Sequence, residues 1–222
     1  MGVNCFMLVN ETLIARSLDD LAYAYQILSG SVDLGCDTET SGFSSERNRL
    51  LSVQLSNGNF SVLVPISEGV SLGPLAQLLA SSDHLKIFHN ANFDLRFLCE
   101  AGYSVCRVFD SMIAEKLITA GADQSASLAE TLYRYFAVDL DKSHQKTFAD
   151  RNWDGRWSPE LVAYALSDVV YLPALKQEQE PWLERLGLAK EFAARMAKLI
   201  PLQTESAKRD EKGRDEARVV NY

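Results

Sequence analysis

Hydrophobic and polar positions along this chain switch between a period near two and a period near 3.6, and the switches outline an α/β body. Cys5–Val9 is an apolar run that reads as a strand, with Asn10-Glu11 able to turn after it. Leu18, Leu21, Ala22, Tyr25 and Leu28 then recur at helical spacing. Ser17 is the expected cap, Asp19 and Asp20 suit the first turn, and Gly30 closes the helix. Val32–Asp37, Arg49–Leu55 and Phe60–Pro65 read as strands, the last two joined by Ser56-Asn57-Gly58-Asn59. An Asn-Gly pair between apolar runs is a hairpin signal.

Helical spacing returns at Leu72, Leu75, Leu78 and Leu79, and Leu85–His89 reads again as strand. Asn92 is the expected cap of a helix from Phe93 to about Glu100, stopped by Gly102. Asp110–Ala120 and Ser127–Phe136 predict two more helices. Ser158-Pro159-Glu160 opens another with a cap, a proline at the first position and an acid in the first turn. That helix carries Leu161, Tyr164, Ala165, Asp168 and Leu172 before Pro173 perturbs it. The body is expected to cover residues 1–200, and 201–222 to form a charged tail.

Composition narrows the class. Asp and Glu total 30 against 22 Lys and Arg, a formal charge of −8, which argues against coating a polyanion through a basic surface. The longest apolar runs, such as Val62–Ile66 and Leu75–Ala80, are too short to span a bilayer, and no secretory signal is apparent. The four cysteines, at 5, 36, 99 and 106, form no CxxC pair and read as reduced core residues. A cytoplasmic protein without a membrane partner is expected.

Three acidic motifs then change the picture. Asp37 and Glu39 lie two apart at a strand end, so both carboxylates face one locus. Such a pair is costly unless cations sit between its members, and hard divalent ions such as Mg²⁺ or Mn²⁺ take oxygen ligands of this kind. By itself the motif is also a strand end entering a polar loop. Asp94 sits just inside a helix after the tight turn His89-Asn90-Ala91-Asn92-Phe93, where an acid also suits the helix dipole. Tyr164 and Asp168 stack one turn apart on a helix face shared with Leu161, Ala165 and Leu172. An inward Asp needs a partner, and no Lys or Arg lies within one turn of it.

In this order, Asp37-Thr38-Glu39-Thr40, then His89-Asn90-Ala91-Asn92-Phe93-Asp94, then Tyr164-Ala165-Leu166-Ser167-Asp168, the chain resembles the tyrosine-type DEDD superfamily of 3′–5′ exonucleases. That superfamily includes RNase D and the proofreading domain of DNA polymerase I. The histidine subtype would place His where Ala163 stands. The resemblance implies an RNase H-like fold, a mixed sheet of about five strands flanked by helices. It implies two divalent cations, Mg²⁺ or Mn²⁺, about 4 Å apart around the scissile phosphate. Asp37 would bridge both, Glu39 and Asp168 would complete the site of the attacking water, and Asp94 would hold the second ion. Tyr164 would orient that water.

By the same resemblance Thr40, Phe43 and Lys142 would contact substrate, with Phe43 a wedge for the terminal bases. Asn90 and Phe93 line the same cleft by position, and Phe93 reads equally as an ordinary core aromatic. Trp153 and Trp157 read either as a wall beside the strand or as anchors of the loop before the last helix. The implied activity is removal of nucleoside 5′-monophosphates from 3′ ends of single-stranded DNA or RNA. A nuclease for very short oligonucleotides and an inactive end-binding or polymerase-associated module are the rival readings. The presence of all four acids and the tyrosine argues against the last. The acidic balance then limits how nucleic acid is held: a few nucleotides gripped through metal ions and stacking.

Overall fold

The computed structural model describes residues 10–120, 122–141, 147–148, 150 and 153–199. Its six strands form one mixed sheet. They are β1 (Glu11–Ile14), β2 (Asp33–Thr40), β3 (Leu50–Ser56), β4 (Phe60–Val64), β5 (Leu85–Phe88) and β6 (Val108–Asp110), in the order β1-β4-β3-β2-β5-β6. The hairpin joins antiparallel β3 and β4, and β3 is also antiparallel to β2. β1 runs parallel to β4, and β2, β5 and β6 are mutually parallel.

Six strands stand where about five were expected. Cys5–Val9 lies outside the described residues; the edge strand begins at Glu11, where the sequence suggested a turn. Its ladder on β4 is extended by Glu11 N–H donating to Asn59 O at 2.8 Å and Ala15 N–H to Leu63 O at 2.9 Å. β6 is three residues long and runs directly into a helix, so it leaves no period to read.

Alternation on the strands divides the core into two. Leu34, Cys36, Val53, Leu55, Val62 and Phe88 face one side, beneath α1 (Leu18–Leu28), α2 (Leu75–Ala80) and α3 (Ala91–Glu100). Leu51, Leu63, Ile87 and Phe109 face the other. There they meet α4 (Ser111–Ile118), α5 (Leu128–Phe136), α6 (Pro159–Val170), α7 (Leu172–Arg185) and α8 (Ala189–Met196). The capping expectations at Ser17 and Ser158 hold: Ser17 forms a box with Asp20, and the Ser158 hydroxyl accepts from Leu161 N–H. The proline at 173 does end α6, at Val170, but α7 starts at once with Tyr171 as the only hinge residue.

The cap of α3 differs from the expected one. The helix begins at Ala91 rather than Phe93, and Asn90 stands before it in the left-handed region with φ 77°. Asp110, at the end of neighbouring β6, does the capping from outside. Its carboxylate accepts from Asn90 N–H (3.1 Å) and Ala91 N–H (2.8 Å), and from Met112 and Ile113 N–H at the start of α4. One buried acid therefore ties two helix starts together and fixes the turn that carries Asp94.

Candidate active site

β2 and β5 are parallel, with Gly35 opposite Ile87, so Asp37 and the turn after Phe88 emerge at the same end of the sheet. Asp37 and Glu39 point from β2 toward α6, where Asp168 comes to meet them. Carboxylate oxygens from Asp37, Glu39 and Asp168 all lie within 4.8 Å of one another. Tyr164 lies one turn earlier on α6 and opens on the same cavity of about 260 Å³.

Asp94 arrives from the other face. Thr38, between the two acids on β2, necessarily points away from α6, and its hydroxyl donates to Asp94 Oδ1 at 2.7 Å. Asp94 is 2% exposed, and it lines the cavity without joining the three-carboxylate group. Thr38 was not among the sequence candidates. Its residue type gives no signal, because its partner lies 56 residues away.

Electrostatics explain what the site lacks. Burial raises Asp94 and Asp168 to about 7. It holds Asp37 and Glu39 well above the ordinary carboxylate range, and the neighbouring acids push both further up. Burial, then the charges of Asp168, Glu39 and Asp37, raise the Tyr164 phenol, so it stays a proton donor. Among the described residues no Lys or Arg lines this cavity. Four hard oxygen donors without a cation suit divalent Mg²⁺ or Mn²⁺, and the side chains fit that group.

The other candidates divide. Thr40 lines the cavity, but its hydroxyl is spent on Gly42 O at 2.7 Å. Phe43 stands 86% exposed on the rim, edge-on to Phe93 with ring centres 6.4 Å apart. Asn90 and Phe93 also line the cavity. Lys142 lies outside the described residues. Trp157 is an anchor: it is buried, and its Nε1–H donates to Ser67 Oγ at 3.0 Å. Trp153 stays half-buried and lines an adjoining hollow with Arg49 and Phe148. Gly42, His89 and Phe148 also line the cavity, and His89 was read from the sequence as no metal ligand. Burial lowers the His89 pKa, and both ring nitrogens are occupied, by Ser111 Oγ at 2.9 Å and Ala126 O at 2.8 Å. His89 therefore holds the 126 loop rather than offering a metal ligand.

Residues 13–184 match the family model for 3′–5′ exonucleases. The chain belongs to that family. It is a 3′–5′ exonuclease domain of the tyrosine type, with the α/β architecture of the RNase H-like fold. Ribonuclease D of Bartonella henselae is 31% identical over 69% of this chain and 37% of its own length. DNA polymerase I of Aquifex aeolicus is 26% identical over 85% of this chain and 31% of its own. The chain thus spans less than half the length of these curated relatives. The NrnC structure from Brucella melitensis with bound Mg²⁺ is 32% identical, covers 89% of this exonuclease domain and 90% of that chain, and has a TM-score of 0.69. Escherichia coli RNase D, 21% identical with a TM-score of 0.74, shares the fold. No helix among the described residues is long and apolar enough to cross a membrane.

Proposed function

We propose that this chain hydrolyses single-stranded DNA or RNA from the 3′ end, releasing nucleoside 5′-monophosphates. The observation that carries the reading is the convergence of Asp37, Glu39 and Asp168 within 4.8 Å, beside Tyr164 and with no Lys or Arg among the described residues that line the cavity. Asp37, Glu39, Asp94 and Asp168 would hold two divalent ions, Mg²⁺ or Mn²⁺. Ions bound there would supply charge neutralisation at the phosphate and a lowered pKa for the attacking water. Tyr164, kept protonated, donates a hydrogen bond that aims the water at phosphorus rather than removing its proton. Thr38 keeps the Asp94 carboxylate turned into the cavity. Water adds to phosphorus and gives up one proton to solvent, the bond to the 3′-oxygen breaks, and that oxygen takes up a proton from solvent. Phe43 and Phe93 offer ring faces to the terminal bases, with Thr40, Asn90 and Lys142 as further substrate contacts. Residues 1–200 form the catalytic domain, followed by the 201–222 tail.

The test is digestion of 5′-labelled and 3′-labelled single strands of DNA and RNA with Mn²⁺, repeated with EDTA. The expected outcome is stepwise shortening from the 3′ end that EDTA abolishes; internal cuts, or digestion persisting in EDTA, would sink the reading.

A second reading, a preference for very short oligonucleotides, has its own support. The match to NrnC runs nearly end to end on both chains, and NrnC was solved bound to pGG. Comparing rates on dinucleotides and 20-mers separates the two.

A further inference from the structure

Gly35 stands two residues before Asp37, so it occupies the β2 face that carries Asp37 and Glu39 toward α6. Its backbone is ordinary strand, paired to Ser56 on one side and Ile87 on the other, so conformational freedom is not what the position requires. Space is. A Cβ added at Gly35 would collide with the Val169 carbonyl oxygen, and it would come within 3.1 Å of Leu172 Cβ and 3.2 Å of Pro173 Cδ. Those atoms belong to the α6–α7 junction, beginning with the residue immediately after Asp168.

The carbonyl is there for a reason legible in the chain. Within a helix Val169 O would accept from the N–H four residues on, but that residue is Pro173, which has none. Along the chain Tyr171 N–H donates to it instead. The oxygen is left facing β2, and the glycine hydrogen in the Cβ direction points at it.

We infer that Gly35, with Pro173 opposite, is a positioning residue for the metal site: it sets how closely α6 lies on β2, and thereby the reach of Asp168 to Asp37 and Glu39. The inference rests on the metal-site reading above. A methyl group at Gly35 has no soft neighbour to displace, so α6 must retreat by about an ångström, and close-packed interiors pass such shifts on. Three ligands within 4.8 Å of one another would no longer close on one ion.

Calorimetric titration with MnCl₂ alone, on Gly35→Ala beside wild type, reads this without any nuclease assay. Affinity is expected to fall at least tenfold in Gly35→Ala. Leu34→Ala, a neighbouring cavity variant on the opposite face, is expected to lower Tm comparably while binding Mn²⁺ within twofold of wild type. Gly35→Ala binding as tightly as wild type would overturn the inference, as would equal weakening in Leu34→Ala, since the loss would then follow stability alone. Should Gly35→Ala not fold, Pro173→Ala serves. It keeps the glycine but supplies the N–H that draws Val169 O back into the helix, so at least threefold weaker Mn²⁺ binding is expected and unchanged binding refutes the idea. A wild type that does not bind Mn²⁺ at all brings down the metal-site reading itself.

Discussion

Two groups of buried acids in this protein are built on opposite principles. Glu115 on α4 is 1% exposed, yet its carboxylate accepts from Arg134 Nη2 at 2.8 Å and Gln179 Nε2 at 3.0 Å. Asp110 is as buried and accepts four backbone N–H groups. Each of these acids is matched by donors, and each holds helices together. In the β2–α6 cavity, Asp37, Glu39, Asp94 and Asp168 share one buried locus without a Lys or Arg among its described lining residues. Hydrogen bonds such as that from Thr38 to Asp94 offset only part of their desolvation, and the carboxyls stay raised. Buried charge that the fold itself satisfies is architecture, and buried charge it leaves unsatisfied marks where a ligand must complete the balance.

The largest test of that contrast is Asp37→Ala. Removing the central carboxylate should lower nuclease turnover by about a thousandfold or more, since charge stabilisation at the phosphate is worth several kcal/mol. Thermal stability without added metal should rise slightly, because a repelling, desolvated acid is gone. Calorimetric melting and a turnover assay on the same sample check both signs.

Arg134→Ala should do the reverse. It strips the guanidinium from a buried Glu115 and should cost about 3 kcal/mol of stability, while Mn²⁺ affinity stays near wild type. A Tm unchanged in Arg134→Ala would erase the distinction between the two groups.

pH gives a third, smaller test. Carboxyls titrate near 4 in an unfolded chain, and Asp94 and Asp168 near 7 when folded. Between those values the folded protein holds protons that the unfolded chain has released, so stability must fall as pH rises. The contribution is complete below pH 4 and lost above about 7. Tm in EDTA should therefore decline from pH 5 to 8, and Mg²⁺ should flatten the slope. A flat profile in EDTA would mean the acids are compensated in a way the cavity does not display.

Smallest is Thr38→Val, which removes the hydroxyl on Asp94 with little change in shape. Losing such an orienting hydrogen bond should cost roughly tenfold to a hundredfold in turnover. Melting should scarcely change, and an undiminished rate would show that Asp94 holds its own position.

Much of the site was legible in the chain because its two central motifs obey local geometry. Two residues apart on a strand, or four on a helix, share a face whatever the rest of the protein does, so Asp37 with Glu39 and Tyr164 with Asp168 follow from spacing. Ser17 and Ser158 caps are local for the same reason. The start of α3 was misplaced because its cap, Asp110, comes from a strand 20 residues further on. β6 was missed because three residues carry no period.

What the sequence determined by itself is therefore the inventory: which acids, on which elements, on which face, and a resemblance strong enough to name the chemistry. Only the tertiary structure decided that these faces meet. It brought Asp94 around the sheet end from the side opposite Asp168, tied to Thr38. Among the described residues it placed no Lys or Arg in the cavity wall. It also laid Val169 O against Gly35 so that α6 could come close. The physical reason is range. Side-chain direction repeats every two or 3.6 residues and is written in the chain, whereas the distance between β2 and α6 is set by packing between segments more than a hundred residues apart.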